Sequence, residues 1–479
     1  MKISNFNKKL IYLSLTYLLF LFRNFSNLKC DDFNNFNFDE ISFDDLEKIE
    51  TKGNGEDLKK SIVNVIEKIE TPLWKKTKQP KGRDILYLLP HKLTAIEYGG
   101  FIVNIFFNYT NKMCFSPNET LKLSENEAAF QALIEELNNT VSNKQSSSLI
   151  PLFKKLTIQE RKAGTLLQAG FITGAYTFQL NTSLQISERN FWLNKKDRDQ
   201  IKNMFESSGS LFDEKELYKI KYGLGNTRIK IGMNTLNTSS IQLDIGIETI
   251  LPTSQVSYIK DKDKINLEDL ENSVTYLLNS IRDNLINPNL GNNGHYGIGC
   301  YIETKISLFH NLITLWNRIS FDNLFSSKED RLILSKQTLP KPIDLPYNFL
   351  KNNFTKIIKQ YIFPPPYTLD VKPGGIINFV LNTTFNINKK WSIGIGYDFY
   401  SQQKECFDKI YNFDDDINTL RIQDAASNNI VQHKIFTETN YIKKQHRWNL
   451  NLGFGGDYTI SAKEIGHDWT IFLRIGASF

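Results

Sequence analysis

The side chains best suited to acid–base or nucleophilic chemistry are few and do not form a recognisable constellation. Of the six histidines, His310 and His446 lie in short connections, His91 precedes the first extended segment and His467 lies near the last. Asp398 and His467 are the only plausible Asp–His pair, and no motif links them. No His-x-Ser-Asn-Gly-like stretch and no Cys/His spacing typical of a metal site is present. The sequence therefore predicts no enzyme, no metal ion and no cofactor.

A second group of candidate functional residues consists of charged side chains that alternate with apolar ones. Each falls on the polar face of an extended segment beside Gly, Asn or Ser, and both signs occur on neighbouring segments. Two interpretations are open: ladders of opposite charge that satisfy one another, or a solute path lined by these side chains. The residues are Arg228, Lys230, Asp244, Glu248, Glu303, Lys305, Arg318, Asp322, Asp398 and Arg474.

The segments that carry these charges alternate with a period of two, which is the spacing of a β-strand. In 375–386, Ile377, Phe379 and Leu381 share one face and asparagines and threonine the other; a short turn leads to the same pattern in 391–400. Further strands are predicted near 101–109, 166–172, 178–187, 228–234, 241–248, 298–306, 313–322, 435–442 and 448–455.

The last eleven residues show the alternation and then end on an aromatic side chain. One face carries Trp469, Ile471, Leu473, Ile475, Ala477 and Phe479, and the other carries Thr470, Arg474, Gly476 and Ser478. Only Phe472 falls on the wrong face. This ending resembles the C-terminal signal by which Gram-negative outer-membrane β-barrels are recognised, and the resemblance implies the barrel-assembly machinery as a partner.

Short and long connections alternate along the chain. The connections near Gly174, Asn237, His310, Lys389 and Lys444 are a few residues long. The long ones span roughly 110–164, 188–226, 249–294, 324–374 and 402–433, with a shorter last one at 459–467. This order is typical of an up-and-down transmembrane barrel with short periplasmic turns and long external loops. The count gives twelve strands, or fourteen if 324–374 contains another hairpin.

The N-terminal region reads as an export signal. Lys8 and Lys9 precede the apolar run Leu10–Phe22, which is typical of a secretory signal peptide. Cys30 raises the alternative of a lipoprotein, although the residues before it lack the small side chains of such a site. Removal of this segment takes away five positive charges and leaves about +1, so no nucleic-acid partner is predicted. The predicted organisation is a signal peptide at 1–29, a periplasmic or plug segment at 30–96 and a barrel at 97–479.

The long connections contain structure of their own. Amphipathic helices are predicted near 125–137 and 266–285, which either fold into the barrel mouth or pack together above it. Cys114 and Cys406 both lie just beyond strand ends, where a disulfide between them is possible. Five glycines on polar strand faces are expected to leave space in the interior; they are Gly232, Gly394, Gly396, Gly453 and Gly455.

Taken over residues 97–479, the chain resembles a Gram-negative outer-membrane β-barrel of porin or transporter type. The resemblance implies an all-β fold, an up-and-down antiparallel barrel, outer-membrane lipid as surroundings and a small solute as cargo. The function expected first is a channel for passive passage or uptake of small solutes. The alternative is a structural or adhesive barrel that binds a partner through its external loops, and an outer-membrane hydrolase comes last.

Overall fold

The computed structural model describes residues 82–89, 99–111, 157–192, 218–238, 240–254, 256, 286–333, 366–411, 419–444 and 448–478. All of them belong to one compact unit, Ser61–Phe479. The strands are β1 Gly99–Asn111, β2 Thr157–Thr173, β3 Tyr176–Trp192, β4 Tyr218–Asn237, β5 Ile241–Leu251, β6 Gly297–Leu308, β7 Ile313–Leu324, β8 Ser327–Leu332, β9 Pro366–Lys372, β10 Ile376–Asn386, β11 Trp391–Gln402, β12 Cys406–Ile410, β13 Ile430–Lys444, β14 Asn449–Lys463 and β15 His467–Ser478. The helices are α1 Ile85–Leu88 and α2 Ile422–Ala425.

Twelve of these strands form a closed antiparallel barrel. Its order is β1-β15-β14-β13-β11-β10-β7-β6-β5-β4-β3-β2, and the pairing of β1 with β15 closes the ring. The predicted all-β, up-and-down barrel of about twelve strands is confirmed. Strands β8 and β9 do form a hairpin inside 324–374, but they pair with β12 in a separate three-stranded sheet. The alternative of fourteen barrel strands is therefore wrong for the described residues.

The period-two pattern sorts side chains between the two faces of the barrel wall. Outward positions are apolar and exposed all around the ring. Ile395 on β11 is 57% exposed, and Ile247 on β5 and Phe454 on β14 are exposed to a similar degree. A continuous exposed apolar band of this size needs an apolar solvent, and a lipid bilayer provides it. The helices within the described ranges lack the length and hydropathy of a membrane-spanning segment.

Aromatic side chains mark both ends of this apolar band. Beside a short turn, Trp391 packs against Tyr441, with ring centroids 4.8 Å apart and the ring planes tilted by 51°. At the opposite end, Trp469 contacts Phe107 and Tyr109, with ring centroids 5.5 and 6.0 Å apart. Such girdles sit at the two membrane–water interfaces of barrel proteins, so their separation defines the span that lies in lipid.

The connections follow the predicted order, with one difference at the end of the chain. The last external connection is only the turn 464–466, because β14 and β15 continue beyond the predicted boundaries of 459 and 467. Glu464 and Gly466 both adopt positive φ angles there, of 64° and 84°, which the tight turn requires.

The separate sheet of β8, β9 and β12 has a small core of its own. Leu369 and Val371 of β9 are fully buried against Ile333, Leu420 and Ala425. At its surface, the hydrogen bond that Tyr411 donates to Asp370 raises the pKa of the Tyr411 phenol. The sheet therefore forms an ordered surface at the external end of the barrel. It is built from the connections that follow β7 and β11.

Several sequence-based expectations concern residues outside the described ranges. These are the signal peptide at 1–29, the loop helices near 125–137 and 266–285, and the terminal Phe479. Cys30 and Cys114 also lie outside, so the possible disulfide of Cys114 with Cys406 stays a prediction.

Candidate functional site

The ten charged residues predicted to face the interior all project from the inner side of the barrel wall. They are Arg228, Lys230, Asp244, Glu248, Glu303, Lys305, Arg318, Asp322, Asp398 and Arg474, all buried except the half-buried Lys305. Because side chains on a regular strand point alternately to its two faces, an inward charge indicates that residues two positions away also face inward. The Asp398–His467 pair considered for catalysis does not form, because Asp398 faces inward whereas His467 stands on an outward position of β15. Among the described residues, no group of three or more His, Cys, Asp or Glu side chains could hold a metal ion.

The first charge cluster is centred on Glu248 of β5. Its carboxylate lies 2.6 Å from Arg318 and 3.4 Å from Arg228, which in turn lies 3.4 Å from Asp322. All four side chains are at most 1% exposed. A carboxylate shared by two buried guanidinium groups is a network in which each charge depends on the others.

A second part of this cluster surrounds Tyr301 of β6. Its ring is covered by the Lys230 ammonium at 4.4 Å and by the Arg318 guanidinium at 5.0 Å. Its hydroxyl donates to Asp244 at 3.2 Å, and Lys230 lies 3.8 Å from Glu303. The charges on β4 to β7 therefore pair across strands, as the ladder interpretation expects.

Two further clusters were not found from the sequence. On β13 to β15, Lys434 bridges Asp457 at 3.0 Å and Asp468 at 2.8 Å. On β2 and β3, Glu160 pairs with Lys162 at 3.0 Å and Arg189 at 2.8 Å. Glu160, Lys162 and Arg189 fall in predicted connections, and Lys434, Asp457 and Asp468 lie just outside the predicted strands, because the strands run further outward than the apolar alternation alone indicates.

A segment of the chain that is not part of the wall lies within the barrel. We call residues 82–89 the strap; it contains α1, whose first turn is capped by Asp84 accepting from Leu86 N at 3.1 Å. Ile85, Leu86, Leu88 and Leu89 are buried against Phe106, Leu166 and Phe472 of the inner wall. This contact also explains the inward Phe472, which breaks the apolar pattern of β15.

Polar contacts connect the start of the strap to strands on two sides of the barrel, β11 and β13 on one side and β2 and β4 on the other. Arg83 forms a two-pronged ion pair with Asp398 of β11, at 2.8 and 2.9 Å, and donates to Gln432 of β13 at 3.2 Å. The Arg83 carbonyl accepts a hydrogen bond from Lys162 of β2 at 2.9 Å. Asp84 accepts from Asn226 of β4.

The end of the strap reaches the first charge cluster and the external rim. Tyr87 donates to Asp322 at 2.8 Å, and the Arg228 guanidinium covers its ring at 4.5 Å. The Tyr87 ring also packs against Tyr400, with ring centroids 5.7 Å apart. It belongs to a buried apolar cluster near the external end of the barrel, whose other members are Ile250, Leu324, Ile376, Ile430, Ala462 and Ile465. The strap therefore joins β1, β2, β4, β7, β11, β13 and β15 across the interior.

The expectation that inward glycines leave open space is wrong at all five positions. A Cβ on Gly394 would lie 2.9 Å from Glu438 Cγ, and one on Gly455 would lie 2.5 Å from Phe472 Cζ. Tyr301 occupies the space over Gly232, Phe436 that over Gly396, and Asn440 that over Gly453. Side chains of neighbouring strands occupy the space beside these glycines, so the glycines allow a filled interior rather than an open one.

The closed ring, the apolar outer band and the charged inner face define a transmembrane β-barrel of the outer-membrane type. The predicted β-barrel of the outer-membrane type is confirmed. No family model and no curated protein sequence matches the chain.

Among solved structures, the barrel is similar to an outer-membrane channel of Pseudomonas putida F1, with 10% identity over 80% of this chain and 97% of that one, and a TM-score of 0.42. It is also similar to the toluene transporter TodX of Pseudomonas putida, with 8% identity, coverage of 84% and 94%, and a TM-score of 0.32. For the porin NanC the identity is 8%, the coverage 67% and 93%, and the TM-score 0.27. These low values assign neither a substrate nor a mechanism.

Proposed function

We propose that the protein is a channel for small solutes in the outer membrane of a Gram-negative bacterium, and that the strap holds its interior closed. The observation that carries the proposal is the position of the strap, which crosses the interior and contacts seven barrel strands through side chains. The strap adds no strand to the barrel. Its departure would therefore leave every strand pairing intact.

The inner face that the strap covers supports passage of solutes more than a purely structural role. Glu248, Asp322 and Arg228 are buried charges in a wall that apolar side chains of similar volume could stabilise as well or better. Buried charges of both signs become useful if water enters, because each can then be hydrated and can line a polar path. The paired charges of the inner face are thus compatible with a path that excludes water while the strap is in place and admits water once the strap is released.

A structural or adhesive barrel is the second candidate, and the external sheet favours it. Strands β8, β9 and β12 give the long connections an ordered platform with a buried core. Such a platform could bind a partner whether or not the barrel conducts. The two functions differ in whether release of the strap makes the barrel permeable.

Liposome swelling tests the proposed channel. The intact protein is compared with the double variant Arg83→Ala/Tyr87→Ala, which removes the ion pair with Asp398 and the hydrogen bond to Asp322. Glu188→Gln is the control, because its pair with Arg161 lies on the outer face of β2 and β3. We expect slow swelling for the intact protein and the control and fast swelling for the double variant.

The strap variant must also remain a folded outer-membrane protein. Cell fractionation should place all three proteins in the outer membrane, and unheated samples should migrate differently from heated ones on a gel. A folded double variant that gives no swelling with any solute would overturn the channel and make the adhesive role the better account.

A further inference from the structure

We propose that the pocket holding the Arg83 guanidinium is a binding site for the cationic group of a transported solute, a guanidinium or primary ammonium. The proposal rests on the channel function and names its substrate class. In this account, Arg83 occupies the site in the closed barrel, and a cationic solute that takes its place releases the strap.

The pocket combines three elements that recognise a planar cation. Both oxygens of Asp398 face the guanidinium, at 2.9 and 2.8 Å from Nη2 and Nη1. The amide oxygen of Gln432 accepts from Nη1 at 3.2 Å. The ring of Tyr400 lies 4.6 Å from the guanidinium carbon. A carboxylate fork, a neutral acceptor and an aromatic face together suit guanidinium best and ammonium next.

The pocket is oriented by the barrel wall and not by the strap. Asn378 donates to Asp398 at 2.9 Å and to the Phe399 carbonyl at 2.9 Å, which fixes the carboxylate. Gln432 donates to Asp468 at 2.7 Å, so its oxygen is left facing the interior. A site held by its surroundings before the ligand arrives loses little freedom on binding.

The charge of the pocket requires a cation once the strap has left. Asp398 would keep its hydrogen bond from Asn378 but lose both contacts with the Arg83 guanidinium. The nearby Lys434 is already shared by Asp457 and Asp468. A carboxylate in a protein interior that loses its paired cation favours a replacement cation over an anion.

Competition for one site also explains how a solute could open the barrel. The strap and the solute cannot both fill the space between Asp398 and Tyr400. A ligand that binds only the strap-released state shifts the equilibrium towards that state in proportion to its concentration. The apolar contacts of Leu86 and Leu88 oppose release, so an anionic or neutral solute without the cationic group would leave the barrel closed.

The first experiment measures binding by chemical rescue of Arg83→Ala. Guanidinium chloride at millimolar, non-denaturing concentration should raise the heating temperature at which folded Arg83→Ala converts to the unfolded gel form, and sodium chloride should not.

Adding Asp398→Asn should lower the apparent guanidinium affinity by roughly tenfold or more, the size of a lost charge-assisted hydrogen bond. Asp370→Asn, in the external sheet, is the control carboxylate and should change nothing. Equal stabilisation by guanidinium with and without Asp398 would overturn the site.

The second experiment measures passage, and it separates this inference from the channel itself. Strap-released Arg83→Ala/Tyr87→Ala in liposomes is offered agmatine, a guanidinium-bearing amine, or a neutral solute of similar size. We expect faster entry of agmatine, and loss of that preference when Asp398→Asn is added. No entry of either solute would contradict the channel. Entry of both at equal rates, indifferent to Asp398, would contradict the cation site while leaving the channel standing.

Discussion

Replacing Glu248 by glutamine should be one of the most damaging isosteric changes in the barrel. Glu248 neutralises Arg318 at 2.6 Å and Arg228 at 3.4 Å, and all three are buried. Glutamine keeps the shape but removes the charge, so Arg318 loses the carboxylate that lies 2.6 Å away, while Arg228 keeps Asp322 at 3.4 Å. Breaking a buried charge network in this way costs about 3–5 kcal/mol in the free energy of unfolding.

The matched control is Glu188→Gln, the same chemical change on the outer face. Glu188 lies 3.5 Å from Arg161, and the two side chains are 26% and 49% exposed. An exposed pair of this kind contributes about 0–1 kcal/mol, so the control should unfold almost like the intact protein. The difference between the two variants therefore reports burial of the interior and not loss of a glutamate.

Urea unfolding in lipid vesicles, followed by tryptophan fluorescence, measures both variants. The gel shift between unheated and heated samples confirms that each starts folded. A loss below about 1 kcal/mol for Glu248→Gln, equal to that of the control, would mean that water already solvates the two arginines. Such a result would refute the reasoning that the interior is closed.

Three further substitutions, two of them with a matched control variant, test other parts of the structure. Ile395→Arg places a charge on the lipid-facing side and should cost about 2–4 kcal/mol in vesicle unfolding, whereas Ile395→Leu should be nearly neutral; equal costs would contradict the assigned faces. Gly396→Ala should destabilise by about 1–3 kcal/mol, because its Cβ would collide with the Phe436 ring and a backbone carbonyl. Gly394→Ala, which meets only the movable side chains of Glu438 and Asn382, should cost less; the reverse order would show that the interior is not packed as described. Arg331→Gln removes the ion pairs with two buried glutamates and should expose the external sheet to limited proteolysis while the urea midpoint of the barrel stays unchanged.

The architecture of the wall could be predicted because it is encoded locally. Period-two alternation in segments such as 391–400, together with the order of short and long connections, determines strands, faces and strand number. Phe472 was the visible exception, and the structure gives its reason: it packs on Gly455 and on the strap. Exceptions to an alternation pattern are thus places where something other than lipid or water lies against the wall.

A plug formed by part of 30–96 was one of two open alternatives, but the contacts of the strap could not be predicted, because its partners are far away in the sequence. Arg83 and Asp398 are 315 residues apart, and a short apolar run after a Pro/Lys-rich stretch does not indicate where it binds. The prediction that inward glycines leave open space failed for a related reason. Composition shows that Gly396 is small, but whether Phe436 lies over it depends on the register between β11 and β13.

The strap is proposed to close the interior, and this closure can be tested through the accessibility of a thiol beneath the strap. Ser320 of β7 is a buried inward residue two positions from Asp322, the residue that Tyr87 contacts. Ser320→Cys is made in a chain whose four native cysteines are replaced, and a chain that retains only the exposed Cys406 gives the reference rate. A water-soluble methanethiosulfonate reagent should label Ser320→Cys slowly when the strap is intact and at nearly the Cys406 rate after Arg83→Ala/Tyr87→Ala. Fast labelling with the strap intact, or equally slow labelling after its release, would contradict the account.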